Sequence, residues 1–341
     1  MCDINKCTLC KNNNATQTNS HIVPSFLGAR IFSYDGSGKR GKDIAFTLTA
    51  SKQTVHTGDL PSDKYEELFD EKGLTDERID ELRKDSLSKD YYLCPDCEKN
   101  LADYLESPYA ISLKDKKNVP GDIGLFFWIS VVWRISITKV LGDWLSDETD
   151  EQLRNLLYKY LQQKKHNKDT KAIINSSHIT YKMLFCPEFL DLDAGFINFK
   201  TNKSHNSAAF LCGDIAVFIG EENSVQDFWG LEYYYNEAPI NDGTLIERKR
   251  IVPLSSFKFA KDALIQTMKE KKMEFERNAL CKAWRMQGFK DDMPLELQNE
   301  IIYSIHGEGL KLGDRGEIKM WNPIIKKKIE DFFLRNKLIL S

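Results

Sequence analysis

The chain has 341 residues, of which 41% are hydrophobic, 29% charged and 11% aromatic, and its formal net charge is -3 at pH 7. This composition is ordinary for a soluble globular protein of roughly two to three domains. It excludes a global positive field, so any contact with nucleic acid must come from local patches. The first residues lack the apolar run of a secretory signal, and the most apolar stretch, 124–132, is shorter than the ~20 residues that span a bilayer. We therefore expect a cytoplasmic protein with no membrane partner.

Two Cys-x-x-Cys motifs mark the N-terminal part of the chain, and 83 residues separate them. Each such motif presents two thiolates from a tight turn, and two motifs together complete a tetrahedral zinc site. In a reducing compartment this pattern favours metal over disulfides, and the long separation is compatible with it because loop-closure cost grows slowly with length. The sequence predicts one structural zinc ion, with four unrelated buried cysteines as the alternative. The predicted ligands are Cys7, Cys10, Cys94 and Cys97.

The segment between the two motifs predicts an insertion. Residues 45–55 partly alternate between apolar and polar, which indicates a strand or hairpin. Residues 59–90 contain 12 Asp and Glu against 6 Lys and Arg, and capping residues favour two short helices there. We therefore predict a module at 1–107 that carries an acidic helical insertion at about 57–90. A further helix is expected to begin inside the second Cys-x-x-Cys motif and run to about residue 107.

The middle of the chain, 108–170, reads as a helical segment. A strongly apolar helix is predicted at 122–145. An amphipathic helix follows at 149–165, with Asp147 or Asp150 as its N-cap. Arg134 interrupts the apolar helix, and two interpretations stay open for it: it pairs with a carboxylate in the core, or it points into a groove to hold phosphate.

The C-terminal part, 171–341, reads as a mixed domain of antiparallel sheet and helices. The predicted strands lie at 196–199, 209–212, 215–219 and 231–235, and the predicted helices lie at 256–287, 294–305 and 322–336. Residues 248–290 carry 12 Lys and Arg against 4 Asp and Glu, which indicates either a DNA-facing surface or a solvated helix face. The candidate nucleic-acid-binding residues are Arg248, Lys249, Arg250, Lys271 and Lys272.

The segments around the two cysteine motifs resemble the zinc-containing HNH, or His-Me finger, endonucleases. In that family a first Cys-x-x-Cys precedes a strand that carries a histidine, and this histidine is often followed by two apolar residues and a proline. A second Cys-x-x-Cys then opens a helix. His21-Ile22-Val23-Pro24 and Leu93-Cys94-Pro95-Asp96-Cys97-Glu98 fit that order. The resemblance covers about residues 5–30 and 88–107. It implies an α+β protein in which a zinc-stapled, treble-clef-like module precedes the helical segment and the mixed C-terminal region.

The same resemblance implies roles for two residues. His21 would be the general base that activates water, because a neutral imidazole accepts a proton near pH 7. Glu98 would help to hold a catalytic Mg²⁺ or Mn²⁺ ion, since a carboxylate is a hard oxygen ligand. Two positions depart from the family pattern: Ser20 stands where a metal-ligating Asp, Glu or His is usual, and Glu98 stands where Asn or His is common.

Two functions follow as expectations. The first is a metal-dependent, HNH-like endonuclease that hydrolyses phosphodiester bonds of DNA, in a setting of bacterial and antiviral defence against foreign DNA. In that case Glu98 supplies the charge that Ser20 lacks. The alternative is a non-catalytic zinc-finger binding module that recognises nucleic acid or a partner protein, and in that case the catalytic metal site has decayed. The sequence does not decide whether the substrate is DNA or RNA, and it does not reveal the role of the C-terminal region.

Overall fold

A computed structural model gives the protein a mixed α and β architecture with antiparallel sheets. It describes residues 6–32, 44–48, 53–57, 87–188, 196–221, 240–255, 257, 277–278, 280–282, 284–285, 289–306 and 317–335. The predicted acidic insertion as far as residue 86, the predicted strand at 231–235 and most of the predicted helix at 256–287 lie outside these residues. The chain divides into two compact units. The first comprises residues 1–47, 52–59 and 82–261, and the second comprises 48–51, 60–81 and 262–341.

The N-terminal part of the first unit is built from short elements. Strand β1 (Ser20–His21) precedes helix α1 (Ser25–Phe32) and pairs antiparallel with β4 (Ser88–Lys89), so that His21 lies opposite Ser88. Helix α2 (Pro95–Leu101) begins inside the second cysteine motif, as predicted, and proline is favoured in a first turn because no N–H is needed there. It continues through a π-helical turn, Ala102–Glu106, into α3 (Ser107–Lys114), which extends the helix beyond its predicted end.

Two longer helices follow. Helix α4 (Gly121–Thr138) is apolar all round and buried on nearly every side, and it ends where Lys139 adopts a left-handed φ of 56°, earlier than predicted. Among the described residues it is long and apolar enough to cross a membrane, but 78% of that stretch is buried inside the protein, as in a core helix. Helix α5 (Asp147–Lys165) is capped by Ser146, whose hydroxyl accepts from the Thr149 N–H at 3.2 Å. The predicted caps, Asp147 and Asp150, are therefore wrong: both lie in the first helical turn, where the helix dipole favours acidic residues.

A larger sheet packs on helix α4. Its strand order is β10-β5-β8-β7-β6-β3-β2, with β9 also paired to β5, and every pair for which the register is described is antiparallel except the parallel pair of β10 and β5. The strands are β2 (Ile44–Leu48), β3 (Gln53–Thr57), β5 (Ile179–Phe185), β6 (Phe196–Thr201), β7 (Ser207–Cys212), β8 (Ile215–Glu221), β9 (Ile240–Asn241) and β10 (Arg250–Ile251), and a short helix α6 (Lys171–Asn175) precedes β5. The strand or hairpin predicted at 45–55 corresponds to the neighbouring strands β2 and β3, and the strands predicted at 196–199, 209–212 and 215–219 are confirmed. Strand β5 was not predicted.

The described part of the second unit contains two helices, α7 (Leu295–His306) and α8 (Glu317–Arg335), which confirm the predictions at 294–305 and 322–336. Helix α8 begins earlier than predicted. Trp284, Phe289 and Phe333 form an aromatic stack in this unit. The ring centroids are 3.8 Å apart for Trp284 and Phe289 and 5.9 Å apart for Trp284 and Phe333. These contacts give the unit a hydrophobic core of its own.

Asp150 on α5 makes stability depend on pH. One carboxylate oxygen accepts from the Ser136 hydroxyl at 2.9 Å, the other is buried without a partner among the described residues, and burial raises the pKa of Asp150 to about 6. Because this folded pKa exceeds the unfolded value of about 3.9, the contribution of Asp150 to stability is present below about pH 4 and is lost as pH rises through 6.

We therefore expect Asp150→Asn to be as stable as the parent at pH 4 and more stable at pH 7. Since solvent still reaches the group, the gain is about 1 kcal/mol in the free energy of unfolding. Urea unfolding at both pH values measures it, with Asp147→Asn in the same helical turn as the control. A gain at pH 7 that Asp147→Asn equals would contradict the assignment to Asp150.

Candidate metal centre and the buried charge cluster beside it

The four predicted zinc ligands converge. The sulfur atoms of Cys7, Cys10, Cys94 and Cys97 all lie within 4.8 Å of one another, and all four residues are buried. The Cys10 and Cys94 sulfur atoms are 3.9 Å apart. Tetrahedral zinc with Zn–S bonds of ~2.3 Å places its sulfur ligands about 3.8 Å apart. The cluster can therefore hold a zinc ion.

Backbone and side-chain donors shape the first cysteine turn around this cluster. The Asn13 N–H points to the Cys10 sulfur at 3.5 Å, and the Asn13 side-chain amide points to the Cys94 sulfur at 3.7 Å. Thr8 donates to the Tyr92 carbonyl twice, from its N–H at 2.9 Å and from its hydroxyl at 2.8 Å. The two cysteine turns are thus joined directly, and donors face the sulfur atoms where negative charge would collect.

The cysteine thiols differ in acidity. A hydrogen bond from Cys97 lowers the pKa of Cys7 to about 4, and the same interaction raises the pKa of Cys97. Burial raises the pKa of Cys94. Zinc binds cysteine as the thiolate, so loading of the cluster releases the protons of its thiols. Such coupling between metal binding and proton release is the usual behaviour of cysteine zinc sites.

An arginine from helix α5 reaches this cluster. Arg154 Nη1 donates to the carbonyl of Leu9, inside the first cysteine turn, at 2.6 Å. Arg154 Nη2 donates to Glu151 Oε1, also at 2.6 Å, which holds the guanidinium in place. The hydrogen bond to Glu151 is the main reason that the pKa of Arg154 is raised, and the nearby Cys10 adds to the effect. The positive charge of Arg154 therefore lies where it offsets the charge of thiolates.

Ser20, which precedes His21, lies close to Glu98 beside the cysteine cluster. His21 is half-buried on β1, and Ser20 before it is fully buried. Glu98 lies in the first turn of α2. Burial raises its pKa, whereas the nearby charge of Arg134 and, to a smaller degree, the Ser20 hydroxyl lower it. Within the described residues neither the Ser20 hydroxyl nor the Glu98 Oε2 atom has a hydrogen-bond partner. The fold thus brings the segment of His21 to Glu98 and leaves two buried oxygen atoms unsatisfied there.

Arg134 from helix α4 completes this group. Its side chain is 1% exposed, and Nη1 donates to the His21 carbonyl at 2.8 Å and to Glu106 Oε1 at 2.7 Å. The Tyr92 hydroxyl also donates to the His21 carbonyl, at 3.4 Å. The predicted pairing of Arg134 with a carboxylate is confirmed. Because the guanidinium is buried and already bonded, it does not face a groove in which phosphate could sit.

Arg134 pairs with only one of the two nearby carboxyl groups. Burial disfavours the charged form of Arg134, but the carboxylates of Glu106 and Glu98 outweigh it and keep the pKa of Arg134 raised. Arg134 forms its ion pair with Glu106, and within the described part of the chain no such pair forms at Glu98. Burial raises the pKa of Glu98, and the charge of Arg134 opposes that rise. A cation bound at Glu98 would favour its carboxylate form further.

The predicted basic residues have a different setting. Arg248, Lys249 and Arg250 are exposed at the sheet edge formed by β10, and the Lys249 ammonium lies 5.4 Å from the Phe185 ring centre. Lys271 and Lys272 lie outside the described residues. Arg248, Lys249 and Arg250 are thus three consecutive exposed cations at the edge of the sheet, here called the cationic strip.

Comparison of the chain with protein-family models, with curated proteins and with solved structures finds no match. Among the described residues, the four cysteines form the one group of three or more His, Cys, Asp or Glu side chains close enough to share a metal ion.

Proposed function

We propose that the protein is a metal-dependent, HNH-like endonuclease that hydrolyses phosphodiester bonds of DNA and carries one structural zinc ion on its four clustered cysteines. The observation that supports it most is the pair of buried oxygen atoms Ser20 Oγ and Glu98 Oε2, whose side chains are close enough to interact but form no hydrogen bond of good geometry among the described residues. Leaving such an atom without a partner costs about 1–3 kcal/mol, and each case in a folded protein calls for an explanation such as an ion.

A second, catalytic divalent ion fits this donor set. Magnesium takes hard oxygen ligands, usually one or two carboxylates, and keeps several waters. Glu98 offers a buried carboxyl oxygen, and Ser20 offers a neutral hydroxyl. When bound, Mg²⁺ or Mn²⁺ supplies charge neutralisation at the scissile phosphate. Glu98 would hold the ion, with Ser20 as a weaker contact.

His21 would act as the general base. A half-buried imidazole can remain neutral near pH 7 and accept the proton of an attacking water. Its backbone is held by two donors at one carbonyl, Arg134 and Tyr92, which restricts the direction of the side chain. The four-cysteine cluster joins the segment that precedes β1 to the start of α2. The zinc ion would therefore act on catalysis only by keeping His21 beside Glu98.

The order of elements supports the assignment to the HNH, or His-Me finger, type and to a treble-clef-like module. The first cysteine turn precedes β1, which carries His21, and the second opens α2, which carries Glu98 in its first turn. We place the reaction in the cytoplasm and in defence against foreign DNA.

A plasmid-nicking assay with Mg²⁺ or Mn²⁺ tests the proposal. The parent should nick plasmid, and His21→Ala should reduce the rate at least 100-fold, because general bases contribute typically 10²–10⁴-fold. Glu98→Gln should raise the metal concentration needed. His166→Ala is the matched control, since His166 is exposed at the end of α5. Nicking by His21→Ala at the parental rate, with zinc content and melting temperature unchanged, would refute the role of His21.

The second candidate is a non-catalytic module that binds nucleic acid or a partner protein. Two observations favour it: Ser20 is a poor metal ligand, and Arg248, Lys249 and Arg250 form an exposed cationic strip. In that case the parent and His21→Ala should bind DNA equally without cutting it, whereas replacing the three basic residues by Gln should weaken binding and reduce its salt dependence. Cutting by the parent that depends on His21 rules this candidate out.

A further inference from the structure

Arg134 belongs to helix α4, outside the two segments that resemble the nuclease family, yet it bonds to the backbone of His21. The guanidinium is 1% exposed and has three anchors: the His21 carbonyl at 2.8 Å, Glu106 at 2.7 Å and the Ser130 carbonyl of its own helix at 3.1 Å. The Ser130 hydroxyl accepts a further bond at 3.3 Å. A buried arginine with this many fixed acceptors has one orientation, because its planar fork leaves no alternative.

The strand that carries His21 needs such support. Strand β1 has two residues, and its pairing with β4 matches Ser20 with Lys89 and His21 with Ser88. One further backbone bond, from Ile22 N–H to the Leu87 carbonyl at 2.8 Å, continues the pairing. Two short strands alone are marginally stable in water. The bond from Arg134 is charge-assisted, and bonds of that kind are roughly twice as strong as neutral ones.

The same residue also pairs with a carboxylate on another element. Arg134 Nη1 lies 2.7 Å from Glu106 Oε1, and Glu106 ends the π-helical turn that continues helix α2. One nitrogen of the guanidinium therefore contacts both the His21 backbone and the helix that begins in the second cysteine motif.

We propose that Arg134 is a positioning residue of the endonuclease: it fixes the backbone of His21 and pairs with Glu106, so that the buried helix α4 determines the geometry of the catalytic module. The catalytic part of this inference rests on the proposed function. The anchoring of β1 does not, and it can be measured on its own.

Arg134→Lys is the central variant, because lysine keeps the positive charge but is shorter and lacks the Nε and Nη2 donors that anchor the guanidinium on Ser130 and hold Nη1 between His21 and Glu106. Amide hydrogen exchange, followed by mass spectrometry on the zinc-loaded full chain, should accelerate at least tenfold over residues 20–23 and stay unchanged over 7–10. The turnover number for plasmid nicking should fall about tenfold or more, with KM within twofold, since misplacing a catalytic group lowers the rate without weakening binding. Zinc content should stay at the parental value.

Arg154→Lys is the matched control. It makes the same change on the neighbouring helix α5, but Arg154 bonds to the Leu9 carbonyl in the first cysteine turn rather than to β1. Its faster exchange should appear over residues 7–10 and not over 20–23. If Arg134→Lys fails to fold, Ser130→Ala replaces it: this variant removes one acceptor of the guanidinium and should give a smaller acceleration in the same place.

The outcomes separate the two ideas. Parental exchange over residues 20–23 in a folded Arg134→Lys or Ser130→Ala variant overturns the inference, whatever the nuclease assay gives. Faster exchange with a parental turnover number overturns the positioning role. If the parent itself does not cut DNA, the proposed function fails, and the exchange data alone decide whether Arg134 holds β1.

Discussion

Chelating the zinc ion, or replacing one ligand by Cys94→Ser, is expected to release the N-terminal segment 6–24 from helix α2. Structural zinc contributes about 10–16 kcal/mol to folding in isolated zinc-finger peptides, which is as large as the total stability of many domains. Apart from the cysteines, a few backbone bonds join this segment to residues 87–93, among them those between Gln17 and Tyr91, at 2.8 Å, and between Gln17 and Leu93, at 3.1 Å. Leu9, Ile22 and Val23 of this segment are also buried in the core. A hydrogen bond contributes about 0.5–1.5 kcal/mol and a buried apolar side chain about 1.5–3 kcal/mol, so the loss of the metal removes the largest single contribution.

The measurement combines metal content with limited proteolysis and thermal unfolding. Cys94→Ser should lose the zinc, expose residues 6–24 to protease and lower the first melting transition by more than about 10 °C. Cys186→Ser is the matched control, because Cys186 is equally buried but lies at the end of β5, outside the cluster. Equal metal content and equal melting in Cys94→Ser and the parent would contradict the zinc site.

The cysteine cluster was predictable from sequence because the chemistry of the ligands is local. Each Cys-x-x-Cys turn is complete in four residues, and thiolates in pairs have few roles other than metal binding in a reducing compartment. The apolar helix α4 was predictable for a similar reason, since it is apolar on every side over five turns. Its end was not, because Lys139 stops the helix through a left-handed backbone rather than through glycine or proline.

Strand β5 shows where sequence patterns fail. It is buried on both faces, so its residues do not alternate between apolar and polar, and even Lys182 is 4% exposed. A short apolar run of this kind cannot be assigned from periodicity, and its role is fixed by its neighbours β8, β9 and β10. Seven residues of β5 pair with β8, which makes it one of the central strands of the sheet.

The charge cluster beside His21 was predictable in part. That a buried Arg134 needs a carboxylate follows from the cost of an unpaired charge. The sequence does not identify this carboxylate as Glu106, nor does it show that the same guanidinium bonds to the His21 carbonyl. Both contacts depend on how α4 packs against the π-helical turn and β1. Contacts between elements far apart in the chain leave no signal in one sequence.

A second large effect is expected at Glu247, a carboxylate in the core of the first unit that is 7% exposed. It accepts from the Tyr181 hydroxyl at 2.6 Å, from the Tyr109 hydroxyl at 3.0 Å and from the Trp128 indole at 3.3 Å. Burial raises the pKa of Glu247, and these three donors oppose that rise. Glu247 thereby ties the segment before β10 to α3, α4 and β5.

Glu247→Leu is expected to lower the free energy of unfolding by about 4 kcal/mol. The substitution leaves the Tyr109 and Tyr181 hydroxyls buried without this acceptor, and each unsatisfied group costs about 1–3 kcal/mol. The Trp128 indole is less affected, since it also donates to the Tyr109 hydroxyl at 3.0 Å. Urea unfolding of the zinc-loaded protein, followed by circular dichroism, measures the change. Leu245→Ala, in the same segment but 61% exposed, is the control and should cost less than about 0.5 kcal/mol.

A double-mutant cycle with Tyr181→Phe separates the lost hydrogen bond from altered packing. In Glu247→Leu the cost includes an orphaned Tyr181 hydroxyl, and in the double variant that hydroxyl is gone. The two single costs should therefore exceed the cost of the double variant by about 1 kcal/mol or more. Costs that add within about 0.3 kcal/mol would mean that the two side chains act independently, and the 2.6 Å contact between them would then contribute nothing to stability.

Gly124 leaves no room for a Cβ beside the Tyr181 hydroxyl and Glu247. Gly124→Ala should therefore destabilise the protein through the same pair, and it should do so less in the Tyr181→Phe background.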